Sequence, residues 1–169
     1  MIVKMGEELA IGDLDACPMA TTSGRWRAVV HGCKDPCHRA FVQYRGHLAP
    51  SHPEYLWALR GRELALNLID PPVPLFRAES FIRAMDFMDT FRFVDTFYEG
   101  QHPVLIHCNN GLSRAPSLAL VYMARRLKTI PDDSFAVARA VFETMVPPGT
   151  YQPGKGIETF LAGNWAELR

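Results

Sequence analysis

The chain has 169 residues, 48% of them apolar, and its 18 basic and 18 acidic side chains give a formal net charge of zero. That is the length of one domain (1–169), with enough apolar content for a substantial core, and it excludes a chain disordered throughout. Zero net charge excludes global steering toward nucleic acid or anionic lipid, and no apolar run has the length of a bilayer span, so neither partner is expected.

In chain order, the segment from Met1 to Glu8 has no apolar run of the kind a secretory leader needs. Leu9-Ala10-Ile11, followed by Gly12-Asp13, reads as a short edge strand and turn. Residues 17–25 are small and polar and read as a loop. Trp26 to His31 is a strand ended by Gly32. Ser51-His52-Pro53-Glu54 has capping-box spacing with proline in the first turn, which predicts a short helix through Leu59, ended by Gly61. Glu63 to Ile69 is the next strand, and Asp70-Pro71-Pro72-Val73-Pro74 breaks it into a stiff loop. Phe81, Met85, Met88 and Phe91 follow helical spacing from Glu79 or Ser80 to about Tyr98, with Gly100 as the C-cap.

Pro103 to His107 is the central strand. Pro116 to about Leu127 is a helix apolar nearly all round, hence buried. Asp132 or Asp133 caps a helix carrying Phe135, Ala138, Val141, Phe142 and Met145. Residues 146–156 form a Pro/Gly loop, and Ile157, Phe160, Leu161 and Trp165 mark a last short helix. Strands alternating with helices predict an α/β fold: a single domain with a central, mainly parallel sheet of four to five strands flanked by helices.

The chemistry concentrates in Val104-Leu105-Ile106-His107-Cys108-Asn109-Asn110-Gly111-Leu112-Ser113-Arg114-Ala115-Pro116. An apolar strand stops at a His-Cys pair, a five-residue loop with a mid-loop glycine follows, and a helix begins after an arginine. Consecutive N–H groups of such a loop, together with the positive end of the helix dipole, make an anion cradle. Arg114 adds a planar fork that matches two oxygens of a bound oxyanion. A cysteine at the start of such a loop is a nucleophile in thiolate form. A helix end alone contributes only about 0.3–1 kcal/mol, so the loop amides and Arg114 must supply most of the field. A thiolate beside a tetrahedral oxyanion points to attack on phosphorus and a cysteinyl-phosphate.

His107-Cys108-x5-Arg114, with Gly111 in mid-loop and Ser113-Arg114 at its end, resembles the signature of the cysteine-dependent protein-tyrosine and dual-specificity phosphatases. The alternative is a strand that happens to end in a buried cysteine. Four fixed residue types coincide by chance in on the order of one chain in several thousand. The resemblance implies a metal-independent phosphatase without cofactor, acting on a phosphorylated protein or small phosphomonoester. It implies Cys108 as nucleophile, Asn109, Asn110, Gly111, Leu112, Ser113 and Arg114 as the phosphate cradle, and His107 as the residue whose hydrogen bonds fix the loop. Gly111 would permit close backbone approach to phosphate, and Ser113 would bond within the loop or cap the helix.

In an open parallel sheet, ligands bind beyond the carboxyl ends of the strands. Two aspartates qualify there as proton donor: Asp70, after the strand ending at Ile69, and Asp35, four residues after His31. The resemblance favours Asp70, because these phosphatases carry their acid in a loop between that strand and the long helix preceding the signature. Such acid–base help contributes about 10²–10⁴-fold.

Two departures stand out. The family has Ser or Thr directly after the arginine, where its hydroxyl helps the thiolate leave; here it is Ala115, so Ser113 or Ser117 must substitute, or dephosphorylation slows. In Gln152-Pro153-Gly154-Lys155-Gly156-Ile157, which resembles the family's C-terminal segment near the site, glycine stands where asparagine is common.

Rival readings are a phosphate-binding module without turnover, motivated by Ala115, and the same chemistry on a phospholipid or RNA 5′ phosphate, which the neutral loop side chains disfavour. His31, Cys33, Cys37 and His38 form a compact group, but their spacing does not match paired zinc knuckles, so no metal is expected. A Cys33–Cys108 disulfide protecting the nucleophile is a further option. Reduced cysteines, a cytoplasmic setting and a monomer are the accompanying expectations.

Overall fold

The computed structural model describes residues 1–18, 26–93 and 102–169. Among these the strands β1 (Ile2–Met5), β2 (Leu9–Gly12), β3 (Val29–His31), β4 (Trp57–Arg60), β5 (Glu63–Leu66) and β6 (Val104–His107) form one six-stranded sheet, ordered β1-β2-β6-β3-β5-β4. The four inner strands run parallel, while β1 and β4 pair antiparallel to β2 and β5 at the two edges. The helices are α1 (Arg39–Val42), α2 (Ala78–Phe93), α3 (Arg114–Tyr122), α4 (Phe135–Met145) and α5 (Lys155–Asn164). The expected α/β class and mainly parallel sheet are therefore present.

Alternation along the strands builds two cores. Leu9, Ile11, Val30, Leu64, Val104 and Ile106 pack with buried residues of α2, α3, α4 and α5. Ala10, Val29 and Leu105 point the other way and pack with Ala16 and Trp26. Because side chains alternate with period two, His107 follows Leu105 onto the second face, while Cys108 follows Ile106 and joins the helix-covered core. Every residue from Ala115 to Tyr122 is buried, as its all-round apolar pattern predicts, and the helix runs on through a wider turn at Met123–Leu127.

The departures have local causes. Leu9–Gly12 is an interior strand, not an edge, because Ile2–Met5 adds outside it. The helix expected from Ser51 to Leu59 is absent: residues 50–56 are turns and Trp57–Arg60 is β4. Glu54 does not reach back to cap Ser51, since its carboxylate grips Arg60 at 2.6 Å and its own N–H donates to His52 Nδ1. Gly61, at φ +58°, is then the hairpin turn into β5 rather than a helix stop. Ser134, not Asp132 or Asp133, caps α4, its Oγ accepting from the Val137 N–H. Asp132 is spent on Lys128 and Arg125. The far end of the long helix, Val94 to Tyr98, and its Gly100 cap lie outside the described residues. No described helix is long and apolar enough to cross a membrane.

Candidate active site

Strand β6 delivers Cys108, buried at 2% exposure, to the start of the loop, and α3 begins at Arg114. Between them the loop's carbonyls are tied outward. Asn109 O accepts from the Leu14 N–H at 3.1 Å, Leu112 O from Gln152 at 2.8 Å and Ser113 O from Ser117 at 3.0 Å. The amides are not spent. Among the described residues, the N–H groups of Asn109, Asn110, Gly111, Leu112, Ser113 and Arg114 donate to no protein acceptor. A row of six adjacent donors with no partner is the chemistry of an anion site. The Cys108 sulfur sits beside them, accepting from the Ala115 N–H at 3.5 Å.

Arg114 is held rather than loose. Nη1 donates to Leu68 O at 2.9 Å and Nη2 to Asn109 Oδ1 at 2.8 Å, which leaves the buried Nε without a partner among the described residues. Asn109 in turn donates through Nδ2 to Asp35 O at 3.0 Å. Gly111 has φ +72°, and a Cβ there would meet the Met1 side chain at 2.8 Å and Gly12 O at 3.0 Å. That glycine therefore lets the loop pack against the end of β2, a reason distinct from phosphate approach.

Asp70 is exposed and sits directly after the segment that accepts from Arg114. It lies against the α5 approach: a Cβ on Gly154 would come within 2.5 Å of Asp70 Oδ1. The Gly154 N–H donates to Ser113 Oγ at 2.9 Å. The chain Asp70–Gly154–Ser113 thus links the aspartate to the cradle. Gly156 fits as tightly, since a Cβ there would lie 2.2 Å from both Pro71 O and Val73 O. The rival Asp35 has its carboxylate paired with Arg39. A cleft of about 510 Å³ runs beside Leu68 and Ile69, with Lys34, His47 and Arg77 among its walls, but Cys108 is not in it. It is a neighbour of the site rather than the site.

Both hydroxyls expected to stand in for the missing one at Ala115 are occupied elsewhere. Ser113 Oγ does not cap α3 but takes the Gly154 amide. Ser117 Oγ shares a hydrogen bond with Tyr151 OH at 2.9 Å. Burial pushes the Tyr151 phenol up, so it stays neutral there.

His107 does not turn toward the loop. Its Nε2 meets His31 Nδ1 at 2.6 Å, and its buried Nδ1 has no partner. Cys17 Sγ lies 3.6 Å from His31 Nδ1 and Cys37 Sγ 4.0 Å from His107 Nε2. Of the compact group seen in the sequence, His31 and Cys37 belong to this cluster. His38 turns away to Tyr44 and the Glu54 carbonyl. Cys33 packs with Cys17 and Cys37 rather than with Cys108, and no disulfide is present. The crowding redistributes protons. Hydrogen bonds from Cys37 and from the two imidazoles hold the Cys17 thiol well below its ordinary value against the opposing effect of burial, whereas bonds to Cys17 and Cys33 push Cys37 up. Burial opposes a charge on His31, but contacts with Cys17 and Glu63 raise it to about 9. Cys17 and His107 joined no candidate metal group in the sequence, because His107 meets His31 only once β3 and β6 lie side by side.

The sequence matches no protein-family profile. No curated protein matches it either. Its fold does match solved structures. The Cydia pomonella PTP-2 phosphatase superposes with a TM-score of 0.62 at 18% identity, covering 96% of this chain and 89% of that one. The Yvh1 phosphatase domain from Chaetomium thermophilum gives 0.63 at 15% identity, covering 99% and 96%. The human tyrosine phosphatase-like serine/threonine/tyrosine-interacting protein gives 0.62 at 16% identity, covering 98% and 96%. The fold is that of the dual-specificity phosphatases.

Proposed function

We propose that this chain, with its dual-specificity phosphatase fold, is a cysteine-dependent phosphomonoester hydrolase acting on a phosphorylated protein or small phosphate ester. The observation that carries the reading is the row of unspent amides from Asn109 to Arg114, directly following a cysteine whose sulfur accepts from the Ala115 N–H. Six adjacent unspent N–H donors and a guanidinium Nε with no partner among the described residues suit three equatorial phosphoryl oxygens better than any neutral ligand. The Cys108 thiolate attacks phosphorus in line. Asp70 gives its proton to the departing ester oxygen, releasing the alcohol and leaving a phosphocysteine. Water then attacks the same phosphorus, Asp70 takes its proton, and inorganic phosphate leaves as the thiolate is restored. Asp70 is preferred to Asp35 because the Asp35 carboxylate is already engaged by Arg39.

Hydrolysis of a small aryl phosphate by the purified chain, lost in Cys108→Ser, tests the reading. A wild-type protein that binds phosphate or vanadate but turns over no ester supports a binding module instead. Ala115 is the observation that favours this second reading, since among the described residues no hydroxyl bonds the sulfur to ease its departure.

A further inference from the structure

We propose that Cys17, His31, Cys37 and His107 form a closed zinc site on the face of the sheet opposite α2, α3, α4 and α5, directly behind the nucleophile loop. Four donor atoms, one from each residue, lie within 4.8 Å of one another, and all four residues are buried. They converge from four segments: the residue after the turn Leu14–Ala16, the end of β3, the helical turn Lys34–His38, and the end of β6. The two histidines meet because β3 and β6 are adjacent parallel strands whose register pairs His31 with His107.

The distances suit a tetrahedral ion. Bonds of about 2.0 Å to nitrogen and 2.3 Å to sulfur place ligand atoms roughly 3.3–3.8 Å apart. The observed sulfur–nitrogen separations of 3.6 and 4.0 Å fall close to that range, and the 2.6 Å nitrogen pair opens by under an ångström to admit the ion. Two thiolates with two imidazoles select zinc over the oxygen-seeking magnesium and calcium. A further contact points the same way. His31 Nε2 meets Glu63 Oε1 at 2.9 Å, the carboxylate–imidazole arrangement that aims the other ring nitrogen at a metal.

Charge and proton balance also close. Binding makes four metal–ligand bonds and releases two protons from the cluster to solvent, so Zn²⁺ with two thiolates and two neutral imidazoles is a neutral group in a buried place. With every position filled by protein, the ion has no water to activate and is structural. Its place makes it a clamp on His107, the residue immediately before the nucleophile. Cys33, although adjacent, is not needed as a ligand.

The test is the metal content of the 169-residue chain, purified without chelator and measured by inductively coupled plasma mass spectrometry. About one zinc per chain is expected in wild type, in Cys33→Ser and in Cys108→Ser, and a loss of most of it in Cys17→Ser and Cys37→Ser. Cobalt(II) replacing zinc in wild type should show the intense visible bands of a tetrahedral site and thiolate charge transfer. Chelator should lower Tm by roughly 10 °C. Wild type with well under one zinc after growth in zinc-supplemented medium overturns the proposal, as does a Cys17–Cys37 disulfide in the native protein. Retention of zinc by Cys17→Ser and Cys37→Ser overturns it too. If those variants do not fold, the wild-type cobalt spectrum decides, and absence of thiolate charge transfer counts against the site. Cys108→Ser keeps the metal while losing turnover, so this proposal and the phosphatase reading fail separately.

Discussion

At Ala115 the protein presents a backbone N–H to the Cys108 sulfur but no hydroxyl, and the nearby Ser113 and Ser117 oxygens are bonded to Gly154 and Tyr151. Expulsion of the thiolate in the second step is then the less assisted half of the reaction. A burst of alcohol equal to the enzyme concentration should precede slow turnover in rapid-quench experiments. Restoring the hydroxyl should relieve it. A hydrogen bond to a charged group is worth about 1.5–3 kcal/mol, so Ala115→Ser should raise kcat roughly 10- to 150-fold and erase the burst. An unchanged burst in that variant would place the slow step elsewhere. In the proposed mechanism Asp70 acts in the first step. Asp70→Asn should lower the rate of phosphoryl transfer about 10²–10⁴-fold while vanadate affinity stays nearly constant. A comparable drop from Asp35→Asn, with Asp70→Asn inert, would reverse the assignment.

The loop into α5 and the loop after β5 are fitted to each other through two missing side chains. Gly154 leaves room for the Asp70 carboxylate, and Gly156 for the carbonyls of Pro71 and Val73. A methyl at position 156 cannot be absorbed by a flexible side chain, because what it meets is backbone. Gly156→Ala should therefore push the Asp70 loop outward, costing about 1–3 kcal/mol as overpacking and lowering kcat without weakening phosphate binding. Equal losses in kcat and vanadate affinity would mean the cradle itself had moved. This scale also explains what could be read in advance. The strands legible in the sequence, around Ile11, Val30, Leu64 and Ile106, are the inner parallel ones, with short continuous apolar runs. The two that were not, Ile2–Met5 and Trp57–Arg60, are half-exposed edges whose strand state comes from pairing rather than from pattern. Cys108, its loop and Arg114 were legible because they are contiguous in sequence. The cluster of Cys17 and His107 with His31 and Cys37 was not, because it requires knowing that β3 lies beside β6.

Across the whole molecule, the C-terminal continuation of α3 ties the end of the chain to the body of the fold. Arg125, in the continuation of that helix, is 9% exposed in its side chain and binds the C-terminal segment. Its Nε donates to Leu168 O at 2.7 Å, Nη2 to Trp165 O at 3.1 Å, and Nη1 to Asp132 O at 3.2 Å, while the guanidinium lies over the Trp165 ring. One cation therefore satisfies carbonyls from both the C-terminal turn and the loop ahead of α4. Arg125→Met keeps most of the apolar stem but strands those acceptors. Each bond from a charged donor is worth about 1.5–3 kcal/mol, and neighbouring ones do not simply add. A net cost of about 2–4 kcal/mol should appear as a Tm lower by roughly 5–15 °C, since a domain of this size loses about 2–4 °C per kcal/mol. Aryl phosphate hydrolysis well below Tm should stay within about twofold of wild type, because the contact acts through α3 as a rigid unit and touches no part of the loop. A large fall in kcat with an unchanged Tm would instead mean that the C-terminal segment tunes the cradle directly.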